Sequence, residues 1–389
     1  MSELPDQRSL ALRRAWPLAV ALAVLAVIGT GFSCTSYGRT AVTSAFFLPD
    51  MMGRLPVRPV TWATDRPVVE HITLNYGSYQ MPADIYRPGS GGQHGAMILS
   101  PGAPPLEPDD SRLVRLAGDV SRAGFVMLVP YSPDLEDEMI YPREVEAQIA
   151  AFEYLKAQPY VDPAKIGYIG ISVGAPLAVL AAADPRISDE VAFVVSFGGY
   201  YDTVDLLTAV TTGVISYDGR DESWEPSSHT VEVMYKQIIN RLDDAADRYV
   251  LTRIFINEKY EEPGDRDSLT PEGRAAYDLL TNRDPAQVQT LLDRLPPKPL
   301  EALQALSLKG RLQGLRAETF ILHDRTDRYI PYVESRRLRD ALEGQVKLHF
   351  TEVSIFQHIE PTANRAAHTL VIDSTKLFFL VCQLILRFS

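Results

Sequence analysis

The stretch from Lys165 to Ala182 constrains this chain more than any other. Lys165-Ile166-Gly167-Tyr168-Ile169-Gly170 reads as an apolar strand, Gly170-Ile171-Ser172-Val173-Gly174 follows at once, and Ala175-Pro176-Leu177-Ala178-Val179-Leu180-Ala181-Ala182 reads as a helix. A Gly-x-Ser-x-Gly string alone would occur by chance about one time in ten in a chain of 389 residues, so its flanks carry the argument. A serine in a sharp turn from strand to helix presents its hydroxyl at the end of a sheet. Gly170 and Gly174 suit such a turn, because the strained backbone brings neighbouring segments too close for side chains. Pro176 falls in the first helical turn, where its missing N–H has no intrahelical partner in any case. Ser172 is therefore the candidate nucleophile; the competing reading is a glycine-rich packing turn.

The surrounding pattern fits. Val68 to Tyr76 and Gln80 to Tyr86 read as two strands joined by the turn residues Gly77 and Ser78, an antiparallel hairpin. Strand-like and helical runs then alternate: Ala96–Ser100, a helix near Asp110–Ala123, Phe125–Pro130, a helix near Arg143–Gln158, and Lys165–Ile171. Apolar strands alternating with helices predict a mostly parallel sheet covered on both faces. Val191–Phe197, Thr319–His323 and Val346–Val353 continue the strands, and a final helix over about Asn364–Leu386 is expected to pack on the sheet. Its apolar end, Leu377–Leu386, is too short to span a bilayer alone. The interruption at 203–316 contains helical runs such as Thr230–Ile256 and Ala286–Leu295 and reads as a helical cap inserted between late strands. Asp243, Asp244 and Asp247 are expected on a solvated helix face.

The N-terminus differs in character. Arg8, Arg13 and Arg14 precede an uncharged run from Ala15 to about Phe32, roughly the length of a bilayer crossing. This predicts a membrane anchor with the remainder of the chain outside the cytoplasm; secretion after signal cleavage is the alternative. Cys34 is read as an unmodified cysteine, with lipidation as the competing reading. The resulting division is an anchor or signal at 1–34, a linker at 35–67, core at 68–202, cap at 203–316 and core again at 317–389. Cys34 and Cys382 alone cannot make a disulfide framework or a thiolate cluster. A net charge of −12 opposes the basic footprint that nucleic acid requires, so no nucleic-acid partner is expected.

A serine nucleophile needs a base and the base an orienting carboxylate. His71 and His94 precede Ser172, His229 lies in the expected cap, His323 and His349 fall in or at the end of strands, and His368 lies in the last helix. His358, in a loop after the last strand, is the candidate base. The candidate acid is Asp327, one turn beyond the strand end in His323-Asp324-Arg325-Thr326-Asp327-Arg328-Tyr329-Ile330-Pro331. Asp324, which suits a turn-bracing role, and Asp202 are the other candidates. The oxyanion needs backbone donors, one from the residue after the nucleophile, Val173, and one from an earlier loop. In Ser100-Pro101-Gly102-Ala103-Pro104-Pro105 only Gly102 and Ala103 carry an N–H, and Ala103 is preferred.

With elbow, acid loop and late histidine in this order, the chain from about Val68 onward resembles the α/β-hydrolase superfamily, and within it the dienelactone hydrolase-like and serine esterase members. The His323-Asp324-x-x-Asp327-x-x-Ile330-Pro331 run is similar to the family's His-Gly-x-x-Asp-x-x-Val-Pro acid loop, with Asp324 in place of glycine. Pro101-Gly102 stands where the family has His-Gly, and a dienelactone hydrolase proper would carry cysteine where this chain has Ser172. The resemblance implies a carboxylesterase using Ser172, His358 and Asp327, with a small ester or acyl substrate and no cofactor or metal. A peptidase or amidase of the same fold, and an inactive membrane-anchored binding protein, are the competing readings. Tyr131, Tyr200 and Tyr201 are candidates to line an acyl site.

Overall fold

The computed structural model describes residues 35–51, 61, 64–257, 260–358, 360–361 and 366–389. The expected anchor or signal at 1–34, with Cys34, lies outside them. The stretch expected as an irregular linker begins with a helix, α1 (Ser36–Met51), which buries Phe47 and Leu48. Thr35 caps it, its hydroxyl accepting from the Gly38 amide at 3.0 Å, but no charge pattern marks either end, and packing against the rest of the protein supplies what local propensity does not.

The hairpin forms as expected: β1 (Val68–Tyr76) and β2 (Tyr79–Arg87) pair antiparallel in unbroken register, with Gly77 at φ +57° in the turn. There follow β3 (His94–Ser100), α2 (Ser111–Arg122), β4 (Val126–Pro130), α3 (Arg143–Lys156), β5 (Val161–Ile171), α4 (Gly174–Ala182) and β6 (Phe193–Phe197). After the insertion come β9 (Glu318–Asp324), a helix at Tyr332–Leu342, β10 (Leu348–Val353) and a long last helix, Ala367–Phe388. One eight-stranded sheet results, in the order β1-β2-β4-β3-β5-β6-β9-β10. The β1/β2 and β2/β4 pairs are antiparallel and the other neighbours run parallel. This is an α/β-hydrolase-like fold. Every residue of β4 and β9 is buried, as strands covered on both faces must be.

Two apolar cores fill the two sides. One joins Ile98, Leu128 and Tyr168 to α3 and α4 through Phe152, Leu155 and Val179. The other joins Met127, Phe193 and Phe320 to α2 and the last helix through Val120, Leu377, Leu384 and Phe388. The last helix therefore packs on the sheet as expected. Its apolar character nonetheless extends well beyond Leu377–Leu386. His368–Phe388, with mean hydropathy 1.7, is long and apolar enough by length and composition to cross a membrane, and Val371, Ile372 and Phe379 on it are exposed.

The insertion is mostly helical but not wholly so. It contains α5 (Thr203–Thr212), a small hairpin of β7 (Val214–Tyr217) and β8 (Arg220–Ser223), α6 (Ser228–Ile239), α7 (Ala245–Thr252), α8 (Pro271–Thr281) and α9 (Pro297–Leu306). The hairpin turns on Asp218-Gly219, both at positive φ, 51° and 69°, the signature of a tight two-residue turn. The expected helix Thr230–Ile256 is broken at Asn240–Asp244. There Asp244 caps α7 by accepting from the amides of Ala246 and Asp247, instead of lying on a helix face. Asp247 is not solvated. It is buried and accepts from the amide of Thr270 at 3.0 Å and from its hydroxyl, tying α7 to the start of α8. Asp243, paired with Lys298, and the capping Asp244 are both exposed, so of the three aspartates only Asp247 departs from the solvated setting expected.

Candidate active site

Ser172 sits between β5 and α4 with φ +56°, a conformation that non-glycine residues seldom adopt. Its amide donates to the Phe197 carbonyl at 2.9 Å, which pins the turn to the end of β6. The two glycines of the motif are sterically required. A Cβ on Gly170 would stand 2.4 Å from the Cα of Ala175, and one on Gly174 would stand 2.1 Å from the Ser100 carbonyl oxygen. Val173 lies at the start of α4, where amides have no intrahelical acceptor.

His358 follows β10 and also has positive φ, +62°. Its Nδ1 lies 2.7 Å from Oδ2 of Asp327, and its ring stacks on Tyr329 with centroids 4.7 Å apart. Asp327 is 2% exposed. Its Oδ1 accepts from the amides of Tyr329 and Ile330 at 2.6 and 3.1 Å, and its Oδ2 also lies 3.3 Å from Nε2 of His323. Burial pushes the Asp327 carboxyl upward, but the charge of His358 and the hydrogen bonds from His323 and His358 outweigh it and hold the group below the usual carboxylate range. His323 is fixed from its other side by Ser335. Gly198, at φ +62°, lies against the pair: a Cβ there would come 3.3 Å from Nδ1 of His358 and 3.5 Å from Oδ2 of Asp327.

The other acid candidates are engaged elsewhere. Asp324 accepts from the Thr326 amide and hydroxyl and from the Phe356 amide, all at 2.7 Å, so it braces the turn and the loop leading to His358. Asp202 caps α5 through the Val204 amide and pairs with Lys309 at 2.7 Å.

Gly102 lies against Ser172: a Cβ on Gly102 would be 3.4 Å from the Cβ of Ser172 and 3.8 Å from its Oγ. Ala103 and Ser172 both line two cavities that meet at the serine. Tyr200 lines one and Tyr131, whose hydroxyl donates to Asp84 at 3.0 Å, lines the other; Tyr201 lines neither. Sequence reasoning passed over His229. It stands near the start of α6, where Ser227 caps the helix, and its Nε2 lies 2.9 Å from the Ala103 carbonyl oxygen. Nothing in its local sequence signals that this end of the helix faces the serine. The cap also reaches the acid loop through Trp224, whose Nε1–H donates to the Asp327 carbonyl at 2.8 Å. Among the described residues no group of three or more His, Cys, Asp and Glu side chains converges as a metal site would require.

No known protein-family profile matches this sequence, and no curated protein matches it. Solved structures that it is similar to include Pyrococcus horikoshii acylaminoacyl peptidase (TM-score 0.47, 11% identity, covering 83% of this chain and 41% of that one). Others are 2,6-dihydroxy-pseudo-oxynicotine hydrolase (TM-score 0.46, 17% identity, 82% and 68%) and an esterase of Pyrobaculum calidifontis (TM-score 0.46, 16% identity, 92% and 97%). The chain spans less than half the length of the peptidases among them.

Proposed function

We propose that this protein is a serine hydrolase that cleaves carboxylic esters through an acyl-enzyme. The observation that carries the reading is the buried 2.7 Å contact of His358 with Asp327, in a site where His358 and Ser172 line the same cavity. His358, oriented through Nδ1, takes the Ser172 hydroxyl proton at Nε2 while Oγ attacks the acyl carbonyl carbon. The Val173 and Ala103 amides receive the oxyanion. The tetrahedral intermediate then collapses, the bond to the alcohol oxygen breaks, and His358 returns its proton to that oxygen. Water, deprotonated by the same imidazole, attacks the acyl-enzyme and releases the acid and free Ser172. The net reaction consumes one water per ester.

Turnover of p-nitrophenyl acetate and labelling by a fluorophosphonate, both abolished in folded Ser172→Ala, are the expected results. Unchanged turnover in that variant would overturn the assignment. Matching amides run beside the esters distinguish an amidase, and failure of folded wild type to label would favour a binding protein that keeps only the fold.

We also propose attachment to a membrane through residues 15–32, with the catalytic core on the extracytoplasmic side. The arginines before this run support it. So does the apolar surface of Tyr37, Val42 and Phe46 on α1, the helix that begins at Ser36, close after the run. Full-length protein should stay with membranes in alkaline carbonate; release into the soluble fraction refutes the anchor.

A further inference from the structure

Two unequal cavities meet at Ser172. The smaller, about 50 Å³, lies beneath the cap and is walled by Val173, Leu206, Met234, Leu303 and Ile330. The larger, about 440 Å³, opens between the Pro101–Leu106 loop and α2 and is walled by Leu106, Leu113, Leu116 and Tyr131. Ser172, Ala103, His229 and Tyr329 border both, so the junction is the reacting centre.

The catalytic geometry assigns one half of an ester to each. His358 borders the larger cavity and not the smaller; Val173 borders the smaller and not the larger. A general acid must lie within hydrogen-bond reach of the oxygen that it protonates, so the alcohol leaves on the His358 side. With the carbonyl oxygen turned to the Val173 and Ala103 amides, the acyl substituent points beneath the cap.

Size and polarity then define the substrate. An apolar cavity of about 150 Å³ takes one benzene, roughly 25 Å³ per heavy atom, so with the carbonyl carbon at the junction the smaller cavity holds about two further heavy atoms and the larger roughly eighteen. The threonine hydroxyls that border the smaller cavity are engaged: Thr203 donates to the Leu303 carbonyl at 2.7 Å and Thr230 to the Tyr329 carbonyl at 3.1 Å. Gln237 accepts from the Ile140 amide and donates to the Glu138 carbonyl. The space left to the acyl group is mostly apolar, and leucines line the wall of the larger cavity along the 101–106 loop and α2.

We propose, building on the hydrolase reading above, that the substrates join a short acyl group, of about three carbons, to a bulky apolar alcohol. The wild-type protein tests this with two ester series: naphthyl acetate, butanoate and octanoate, then the acetates of methanol, benzyl alcohol and naphthylmethanol, primary alcohols of similar leaving ability. On the acyl side kcat/KM should fall at least about tenfold from butanoate to octanoate, because extra methylenes enter a filled pocket only by forcing its side chains off their preferred rotamers. On the alcohol side kcat/KM should rise with size. Leu206→Ala and Met234→Ala, made separately, should move the acyl preference toward octanoate, whereas Leu116→Trp should depress naphthyl acetate more than methyl acetate. A wild type that prefers octanoate, or acyl profiles unmoved in both cap variants, overturns the inference. In that case fluorophosphonate labelling of Ser172 still stands; absence of both labelling and ester turnover would instead overturn the hydrolase reading and this one with it.

Discussion

Replacing Asp327 by asparagine probes the site at its most enclosed point. The carboxylate accepts two backbone amides at Oδ1 and faces two imidazole nitrogens at Oδ2. Asparagine with its oxygen in the Oδ1 place keeps both amide bonds but sets an NH₂ donor against His358 and His323. His358 must then turn a lone pair toward residue 327, which leaves its other nitrogen protonated and unable to accept the Ser172 proton. The imidazolium formed in the transition state also loses its counter-charge. At the observed 2.7 Å and an effective dielectric of about 20, that pair interacts by about 6 kcal/mol. With 1.36 kcal/mol per factor of ten, kcat/KM for naphthyl acetate should fall roughly 10⁴-fold. Stability carries a second signature. Because the folded-state pKa lies below the unfolded value of about 3.9, the carboxylate's contribution is fully present above that value and is lost as pH falls below it. The stability gap between wild type and Asp327→Asn in urea should therefore narrow as pH is lowered from 6 toward 3. Activity within tenfold of wild type in Asp327→Asn, with activity abolished in folded Asp324→Asn, would refute the reasoning.

Trp224→Phe removes the donor to the Asp327 carbonyl and leaves that buried acceptor unpaired, so urea unfolding should show a loss of about 1–3 kcal/mol together with reduced kcat; unchanged kcat would mean that the acid loop holds its shape without the cap. Gly198→Ala forces a left-handed alanine, at a cost of about 1–2 kcal/mol, and crowds His358, so stability and kcat should both fall; a fully active variant would contradict the packing at Gly198. Glu144, buried behind Ser132, is pushed up to about 7 chiefly by burial, offset in part by the Ser132 hydroxyl, with nearby Asp134 adding to the rise. A folded pKa above the unfolded one gives stability that is present below the unfolded value and lost as pH rises to and through about 7. Glu144→Gln should therefore be more stable than wild type at pH 8, by up to about 3 kcal/mol, and equal to it at pH 4; equal curves at both would refute a protonated Glu144.

The sheet was legible because its strands announce themselves: runs such as Val126–Pro130 and Phe193–Phe197 are buried on both faces and hold almost nothing polar. Candidate site residues next to such strands were legible for the same reason. Asp327 could be preferred to Asp324 because the tight turn at the end of β9 needs a brace, and the nearer aspartate provides it. Other features answer to partners far away in sequence. Asp247 is buried by Thr270, and α1 packs against a helix more than three hundred residues onward. His229 reaches the Ala103 carbonyl only because the cap folds back over the sheet. The hairpin at Val214–Ser223 is different: its Asp218-Gly219 pair was a readable signal, obscured by the helical character of the residues around it.

The cap is joined to the acid loop by more than apolar contact. Trp224 bonds the Asp327 carbonyl, the Ser227 amide donates to that of Arg328 at 2.6 Å, and the Thr230 hydroxyl donates to that of Tyr329. Three successive carbonyls beside the proposed acid are thus held by one short segment of the insertion. Modularity stops at this seam. Altering selectivity by transplanting an insertion from a protein of similar fold would also replace the scaffold that holds Asp327, so the exchangeable part begins after Thr230, and residues 224–230 travel with the loop of Asp327 as inherited hardware of the proposed catalytic centre.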